Sequence, residues 1–131
     1  MGVATPSWLK RRCITERLLD ASARQLHTAT IETVSEHTRI SAAFIAGYNA
    51  LQAAQPRYSN PLDDHPLARI VRTGAARVGL SEADLTVGLQ LLDWEYKRYW
   101  LEPPPVTAED ATAWARRVRD AVLMLKAKLK T

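Results

Sequence analysis

The chain has 131 residues, of which 47% are apolar and 24% are charged, and this composition is usual for one soluble globular domain with a core of reasonable size. Its single cysteine, Cys13, excludes an intrachain disulfide and favours a cytoplasmic protein. No apolar run follows the basic residues near the start, so the sequence also argues against a signal peptide.

The formal net charge of +4 is concentrated at the two ends of the chain. Residues 1–24 contain five Lys or Arg against two acids, and residues 107–131 contain six against three. Residues 25–106 contain seven against nine. Basic ends can serve an acidic partner, but a charge of this size also keeps small proteins soluble, and we favour the second explanation.

The first predicted elements are a basic N-terminal segment, residues 1–14, and a long helix from about Thr15 to Glu36. Residues at helical spacing mark the inner face of this helix: Leu19, Ala23, Leu26, Thr30 and Val34. Several threonines lower the helix propensity toward its far end.

The element around which the bundle is predicted to assemble is a helix from about Thr38 to Ala54. The residues between Arg39 and Arg57 are all uncharged, and apolar residues occupy nearly every side of this helix. A helix that is apolar all round is buried all round, so we expect it at the centre of the fold. Gly47 and the alanines would let neighbouring backbones approach closely. Polar residues within the stretch exclude a membrane span.

Caps predict three further helices after a proline-rich loop. The third helix begins at Pro66, since proline is favoured at the first helical position, and Gly79 ends it as a left-handed cap. The fourth helix begins after Ser81 and runs to about Leu101. The fifth begins after Thr107, which is followed by acidic residues in the same way.

The fifth helix has an apolar seam that continues to its end: Ala111, Trp114, Val118, Ala121, Val122, Leu125 and Leu129. No segment shows the strict alternation of a half-buried strand. We therefore predict an all-α fold, an up-and-down bundle of four to five helices. The chain 1–131 is expected to be a single domain in which residues 15–130 form the bundle.

Few residues are candidates for catalysis or metal binding. Glu32, Glu36 and His37 are close in sequence, but a single histidine among them favours a solvated helix end over a zinc site. Turn and cap chemistry explains the Asp-Asp-His run at residues 63–65, and Cys13 has no base close to it in sequence. No phosphate loop, nucleophile elbow or dinucleotide motif is present. We expect no catalytic residue, no cofactor and no metal, which argues against an enzyme.

The fourth helix has two apolar faces. The bundle is expected to bury the first, formed by Leu85, Leu89, Leu92, Tyr96 and Tyr99. The second face lies roughly opposite and consists of Val87, Leu91, Trp94 and Leu101. Exposed apolar faces tend to mark interfaces, and tryptophan is enriched at interface hot spots, so we predict a homodimer through the second face. Alternatively, the fifth helix or the N-terminal segment covers this face within one chain.

The alternative function is nucleic-acid binding through the basic ends. The residues that would contact phosphate are Lys10, Arg11 and Arg12 near the start and Arg116, Arg119, Lys126 and Lys130 on the last helix. Basic residues that flank an amphipathic helix usually only solvate it, so we expect weak binding at most.

Three stretches together resemble a known family: Leu18-Leu19-Asp20-Ala21 with Leu26; Arg39-Ile40 with Ala43, Ala46, Tyr48 and Ala50; and His65-Pro66-Leu67 through Val78-Gly79-Leu80, followed by Leu91 to Tyr99. In this order they resemble helices of the HEPN superfamily, small helical bundles often found in prokaryotic toxin–antitoxin and other defence systems. The resemblance covers about residues 16–101 and implies a helical bundle.

The sequence departs from this family at the catalytic pair. Active members resemble one another in an Arg followed, after four to six residues, by a His, and the two together cleave RNA. Arg57 and His65 have seven residues between them, and residues 93–98, where the pair is expected, contain no histidine. The resemblance therefore implies a member without the ribonuclease pair. We predict a non-catalytic helical interaction or scaffolding module, whose partner is a second copy of the chain or another protein.

Overall fold

The computed structural model describes the backbone of residues 7–55, 66–97 and 101–129. Within these ranges the chain forms five α-helices: α1 (Ser7–Ala29), α2 (Glu36–Ala53), α3 (Pro66–Val78), α4 (Glu82–Lys97) and α5 (Ala108–Leu129). The helices pack on one another as a bundle, which confirms the predicted all-helical fold. None of the described helices combines the length and the apolar character that crossing a membrane requires.

The bundle is built around α2, as the uncharged stretch of sequence predicts. Its buried residues face several sides of the helix: Ile40, Ala42, Ala43, Phe44, Ala46, Gly47, Ala50 and Leu51. Helices α1, α3, α4 and α5 all pack against it. Most of these buried residues are alanine or glycine, so the surrounding helices approach the α2 backbone closely.

Helix α1 differs most from its prediction. It begins at Ser7, so Lys10, Arg11 and Arg12 lie within the helix and do not form a separate basic segment. It ends at Ala29, whereas the predicted helix continued to residue 36. The basic residues are therefore held on a helix that packs against the rest of the bundle.

The buried face of α1 also differs from the prediction. Leu19 is buried and Leu26 is partly buried, as expected, but Ala23 is exposed. Ser22 and Ala29 are buried instead. Spacings of three, four and three residues keep this buried set on one helical face, and a small serine fits where α1 meets α2.

Two side-chain hydrogen bonds are made to carbonyl groups at the end of α1. The Thr30 hydroxyl donates to the His27 carbonyl oxygen at 2.6 Å. Arg39 of α2 donates its Nε hydrogen to the Ala29 carbonyl oxygen at 2.9 Å. The His27 carbonyl oxygen also accepts the Thr30 amide at 3.0 Å, whereas Arg39 provides a side-chain donor for the Ala29 carbonyl at the helix end. Thr30 and Val34, predicted on the inner face, consequently lie beyond the helix.

A buried hydrogen bond joins α1 to α2. The Ser22 hydroxyl donates to the Ala46 carbonyl oxygen at 2.7 Å. We expect Ser22→Ala to lower the free energy of unfolding by about 1 kcal/mol, because a buried hydrogen bond is lost, and urea denaturation measures this. Thr28→Ala is the control, since the Thr28 hydroxyl bonds the Arg24 carbonyl of its own helix at an exposed site. An equal loss in both variants would contradict a special role for Ser22.

Helices α3, α4 and α5 begin at the predicted caps and α3 ends at the predicted glycine, whereas the described part of α4 ends at Lys97 and the prediction ran to about Leu101. Helix α3 begins at Pro66, and Gly79 follows its last residue with a left-handed φ of 73°. The hydroxyl groups of Ser81 and Thr107 each accept a hydrogen bond from the amide three residues later, at 3.1 Å. These contacts are local in sequence, which explains why the helix starts could be predicted.

The centre of the core is Trp114 of α5, which is fully buried. Its indole ring lies between Gly47 of α2 and Gly88 of α4. It stacks on the Phe44 ring, with 6.4 Å between the ring centroids. The indole Nε1 donates to the Asp84 carbonyl oxygen at 2.9 Å. The space that Gly47 was expected to offer a neighbouring backbone is thus occupied by an aromatic ring.

Helix α3 docks on the end of α2 through Gly74. A Cβ atom at this position would lie 2.9 Å from both the Cβ and the carbonyl oxygen of Leu51. The Gln55 side-chain amide donates to the Leu51 carbonyl oxygen at 3.0 Å and to the Ile70 carbonyl oxygen at 2.9 Å. The two helices therefore pack backbone against backbone, with one amide joining them.

Candidate interaction surfaces

Two of the four residues predicted to form the dimer interface lie in the core. Leu91 is fully buried and Trp94 is only 4% exposed. Val87 is partly buried against the same core. Leu101, at 68%, is the exposed member of the set. The prediction that these residues form an exposed face of α4 is therefore wrong.

Trp94 is covered within the chain by α2 and by the segment that follows α4. Its ring centroid lies 5.8 Å from that of His37, and its Nε1 donates to the Glu102 carbonyl oxygen at 3.2 Å. On the predicted core face, Leu92 is buried but Tyr96 is 63% exposed. Helices α2, α3 and α5 all pack against α4, so this helix needs apolar residues on more than one side.

Of the α1 residues predicted to contact phosphate, Arg12 alone has a described side chain. Arg12 is exposed and forms an ion pair with Glu16, with 3.5 Å between Nε and Oε1. The side chains of Lys10 and Arg11, and the whole of Lys130, lie outside what the structure describes.

The basic residues of α5 have different surroundings. Arg116 is exposed and Lys126 is partly buried. Arg119 is partly buried, and its Nε has no hydrogen-bond partner within the described residues. Arg117 forms a two-pronged pair with the Asp84 carboxylate at 2.9 to 3.2 Å. The hydrogen bond to Asp84 raises the pKa of the Arg117 guanidinium further, and the two-pronged pair joins α4 to α5.

The candidate reactive groups are not brought together within the described residues. Residues 63–65 and both members of the Arg57–His65 pair lie outside these residues. Cys13 is exposed on α1. In the part of the chain that the structure describes, no three His, Cys, Asp or Glu side chains are placed to hold a metal ion.

The start of α1 and the end of α5 lie at the same end of the bundle. Helix α1 runs antiparallel to α2, since Ser22 contacts Ala46 and the Ala29 carbonyl contacts Arg39. Helix α5 begins beside the start of α2, where Arg39 Nη1 lies 3.5 Å from Glu109 Oε1. Helices α1 and α5 also contact each other directly.

Large apolar side chains are exposed at this end of the bundle. They are Ile14 of α1, which is 55% exposed, and Met124 and Leu129 of α5, which are 66% and 69% exposed. Val118 and Val122, earlier on the α5 seam, are buried. The last seam residue, Leu129, is therefore left uncovered by the bundle, and Met124 is exposed on another side of α5, about 200° around the helix from Val122. We call this surface, defined by Ile14, Met124 and Leu129, the α1–α5 end.

A second feature is a groove between α2 and α4. It has a volume of about 420 Å³ and is lined by Phe44, Ile45, Tyr48, Glu95 and Tyr96, and we call it the Glu95 groove. Oε1 of Glu95 accepts a hydrogen bond from the Ser41 hydroxyl at 2.7 Å. Oε2 is buried and has no hydrogen-bond partner within the described residues. Most buried polar atoms in proteins have a partner, so this oxygen is unusual.

The alkaline titration of Tyr48, which lines the Glu95 groove, tests how far this groove shields the side chain from water. Burial, and secondly the nearby Tyr96, raises the pKa of Tyr48 above its usual value of about 10. The folded state therefore favours the neutral phenol, and this contribution to stability is present below the unfolded pKa and lost as the pH rises through the folded pKa. We expect tyrosinate absorbance to contain a late-titrating component that Tyr48→Phe removes. Persistence of that component in Tyr48→Phe would contradict the assignment, and Tyr96→Phe is the matched control.

Comparisons with known proteins identified no relative of this chain. No protein-family model matches the chain, and neither a curated protein nor a solved structure matches it. The resemblance to the HEPN superfamily is thus neither supported nor contradicted, and it stays a prediction.

Proposed function

We propose that this chain is a non-catalytic helical interaction module whose contact surface is the α1–α5 end. The observation that supports the proposal is the exposure of Ile14, Met124 and Leu129 at one end of the bundle, where Leu129 is the last residue of the apolar seam of α5. Exposed apolar surface that the fold does not use is typical of protein interfaces. The proposal replaces the face of α4 as the contact surface, because Leu91 and Trp94 are buried within one chain.

A second copy of the chain is the partner that we propose first, and a different protein is the alternative. Closed two-fold dimers are the commonest oligomers, and in such a dimer the same surface meets itself. Methionine suits this role, since its flexible thioether adapts to irregular apolar surroundings. In such a dimer, the exposed end of the α5 seam in one chain would be buried against the same part of the partner chain.

Light scattering of the purified protein tests the homodimer. At high micromolar concentration we expect a particle of twice the 14.7 kDa chain mass. Met124→Lys should yield a folded monomer, because a charge replaces an apolar side chain of the proposed contact that its own chain leaves exposed.

Leu101→Lys is the matched control. Leu101 is exposed to the same degree as Met124 but lies near Trp94 and Glu102, close to the start of α2. This variant should remain a dimer, whereas dissociation by Leu101→Lys and not by Met124→Lys would move the interface to the other end of the bundle. A wild-type particle of 14.7 kDa would contradict the homodimer altogether.

Nucleic-acid binding is the alternative proposal and has less support. Arg12 and Arg117 are already paired with Glu16 and Asp84, so fewer cations are available to phosphate than the composition suggests. A gel shift at about 50 and 200 mM salt tests this, because phosphate contacts weaken steeply with salt. Tight, salt-sensitive retardation that Arg116→Ala weakens would favour nucleic acid over a protein partner.

A place in a prokaryotic toxin–antitoxin or defence system follows only from the resemblance to HEPN bundles, and we propose it on that basis alone. Such a role is compatible with an interaction module that has no ribonuclease pair. Incubation with total RNA tests it, and metal-independent cleavage that His65→Ala abolishes would contradict the non-catalytic proposal.

A further inference from the structure

We propose that the Glu95 groove binds an alkylammonium cation, which pairs with the free oxygen of the Glu95 carboxylate while its apolar stem lies along the aromatic walls. This site goes beyond the interaction module proposed above and is independent of it. The groove lies between α2 and α4, where Ser41 meets Glu95, whereas the α1–α5 end lies where α2 ends.

The carboxylate of Glu95 is held in place, but only one of its two oxygens accepts a hydrogen bond from a described residue. The Ser41 hydroxyl donates to Oε1 at 2.7 Å, which fixes the orientation of the side chain. Oε2 is shielded from water and accepts no hydrogen bond from any described residue. Shielding a carboxylate oxygen without a donor is costly, and a ligand with a positively charged N–H donor would relieve that cost. Since Oε2 has under 1 Å² of exposed surface, a side chain of the groove has to turn aside to admit the ligand.

The hydrogen bond from Ser41 favours an ammonium over a guanidinium ligand. A guanidinium group binds a carboxylate best through both oxygens, in a two-pronged arrangement. Here Oε1 is already engaged, so one oxygen is left for the ligand. An ammonium group is a compact donor that needs only one such contact.

The walls of the groove suit the rest of such a ligand. Phe44 and Tyr48 stand next to each other on α2, with 5.8 Å between their ring centroids, and Tyr96 lies on α4. Aromatic rings attract cations through their faces and also pack against methylene groups. The volume of about 420 Å³ is within the range of small-molecule sites.

Two sources can supply this chemistry: a free small amine or the side chain of a lysine on another protein. Both present a primary ammonium group on an apolar stem. A blocked tripeptide, acetyl-Gly-Lys-Gly-amide, separates them from n-butylammonium. Equal or tighter binding of the peptide would assign the groove to a lysine side chain, and weaker binding would assign it to a free amine; either result supports the site.

The decisive experiment is an NMR titration of the protein with n-butylammonium and, separately, with 1-butanol at neutral pH. The alcohol is nearly the same size and has no charge. We expect millimolar binding of the cation, as suits a ligand of so few atoms, with shifts centred on Tyr48, Glu95 and Tyr96. Equal binding of the alcohol, or no binding up to about 50 mM cation, would overturn the proposal.

Two variants test the roles of the groove residues. Glu95→Gln keeps an oxygen that can accept the Ser41 hydrogen bond but removes the charge, and it should weaken binding by about tenfold or more. Tyr96→Ala, at a largely exposed position, should weaken binding about two- to fivefold. Circular dichroism and the thermal midpoint check that both variants are folded. Unchanged affinity in Glu95→Gln would overturn the proposal.

A third variant asks whether the chain supplies its own cation. Arg98 follows Glu95 by three residues in the sequence. If n-butylammonium binds to Arg98→Ala and not to the wild type, the groove is an internal ion-pair site and the proposal of an external ligand fails. Binding of equal strength in both supports it.

Discussion

Gly47→Ala is expected to lower the free energy of unfolding by about 2 kcal/mol, although the same change at an open helix position raises it by up to about 1 kcal/mol. A Cβ atom at this position would meet Cζ3 of Trp114 and lie 2.5 Å from Cη2. The indole cannot retreat, since Gly88 borders its other side and Asp84 holds its Nε1. Overpacking therefore outweighs the gain in helix propensity.

A double-mutant cycle measured by urea denaturation identifies the cause. In a Trp114→Leu background, Gly47→Ala should cost much less or become stabilising, because the smaller side chain leaves room for the new methyl group. Gly79→Ala is the control: Gly79 has a φ of 73°, and a Cβ atom added there would have no neighbouring atom within 4 Å. Its cost of about 1 kcal/mol should be the same in both backgrounds. An equal loss for Gly47→Ala in both would contradict the steric explanation.

The features that could be predicted from the sequence depend on neighbours in the chain. Ser81 and Thr107 cap helices through amides three residues later, and Gly79 ends α3 through its own backbone conformation. Central burial of α2 could be predicted because residues 40–53 of this helix are uncharged and leave it no side that favours water. In each case the deciding interaction is contained in a short stretch.

The features that were missed depend on residues far apart in the chain. Helix α1 ends at Ala29 partly because Arg39 of the next helix bonds its carbonyl, which no local propensity reports. The Glu95 groove combines Tyr48 with Glu95, which come from two different helices. The sequence contained one usable signal, since Glu95 stands between Trp94 and Tyr96, but periodicity alone treats that acid as a solvated residue.

The dimer face was misassigned for a related reason. Periodicity shows that α4 has two apolar sides, and it does not show how many helices will pack on them. Three helices, α2, α3 and α5, pack against α4. Trp94 is covered by His37 and by the backbone at Glu102. At the end of α5 the periodicity was misleading in the opposite direction: Leu129 belongs to the apolar seam, which suggests burial, but it is exposed. An apolar stripe indicates side chains that favour burial, and only the packing of the helices shows which element buries them.

The strongest test of this correction is Trp94→Glu, which we expect to unfold the domain rather than to release a folded monomer. Trp94 is 4% exposed, and its Nε1 bonds the Glu102 carbonyl oxygen. Truncating a buried tryptophan costs about 3 to 5 kcal/mol, and a carboxylate in its place adds the cost of a shielded charge. That sum is comparable to the whole stability of a typical domain, about 5 to 15 kcal/mol.

Circular dichroism and urea denaturation measure the effect, and Leu101→Glu is its matched control. Leu101 is 68% exposed, so the same acid there should change the free energy of unfolding by about 0.5 kcal/mol or less. The contrast between the two variants isolates burial, because both place a glutamate at an apolar position near the end of α4. A Trp94→Glu protein as stable as the wild type would mean that Trp94 leaves the core at little cost, and it would restore the face of α4 as the candidate interface.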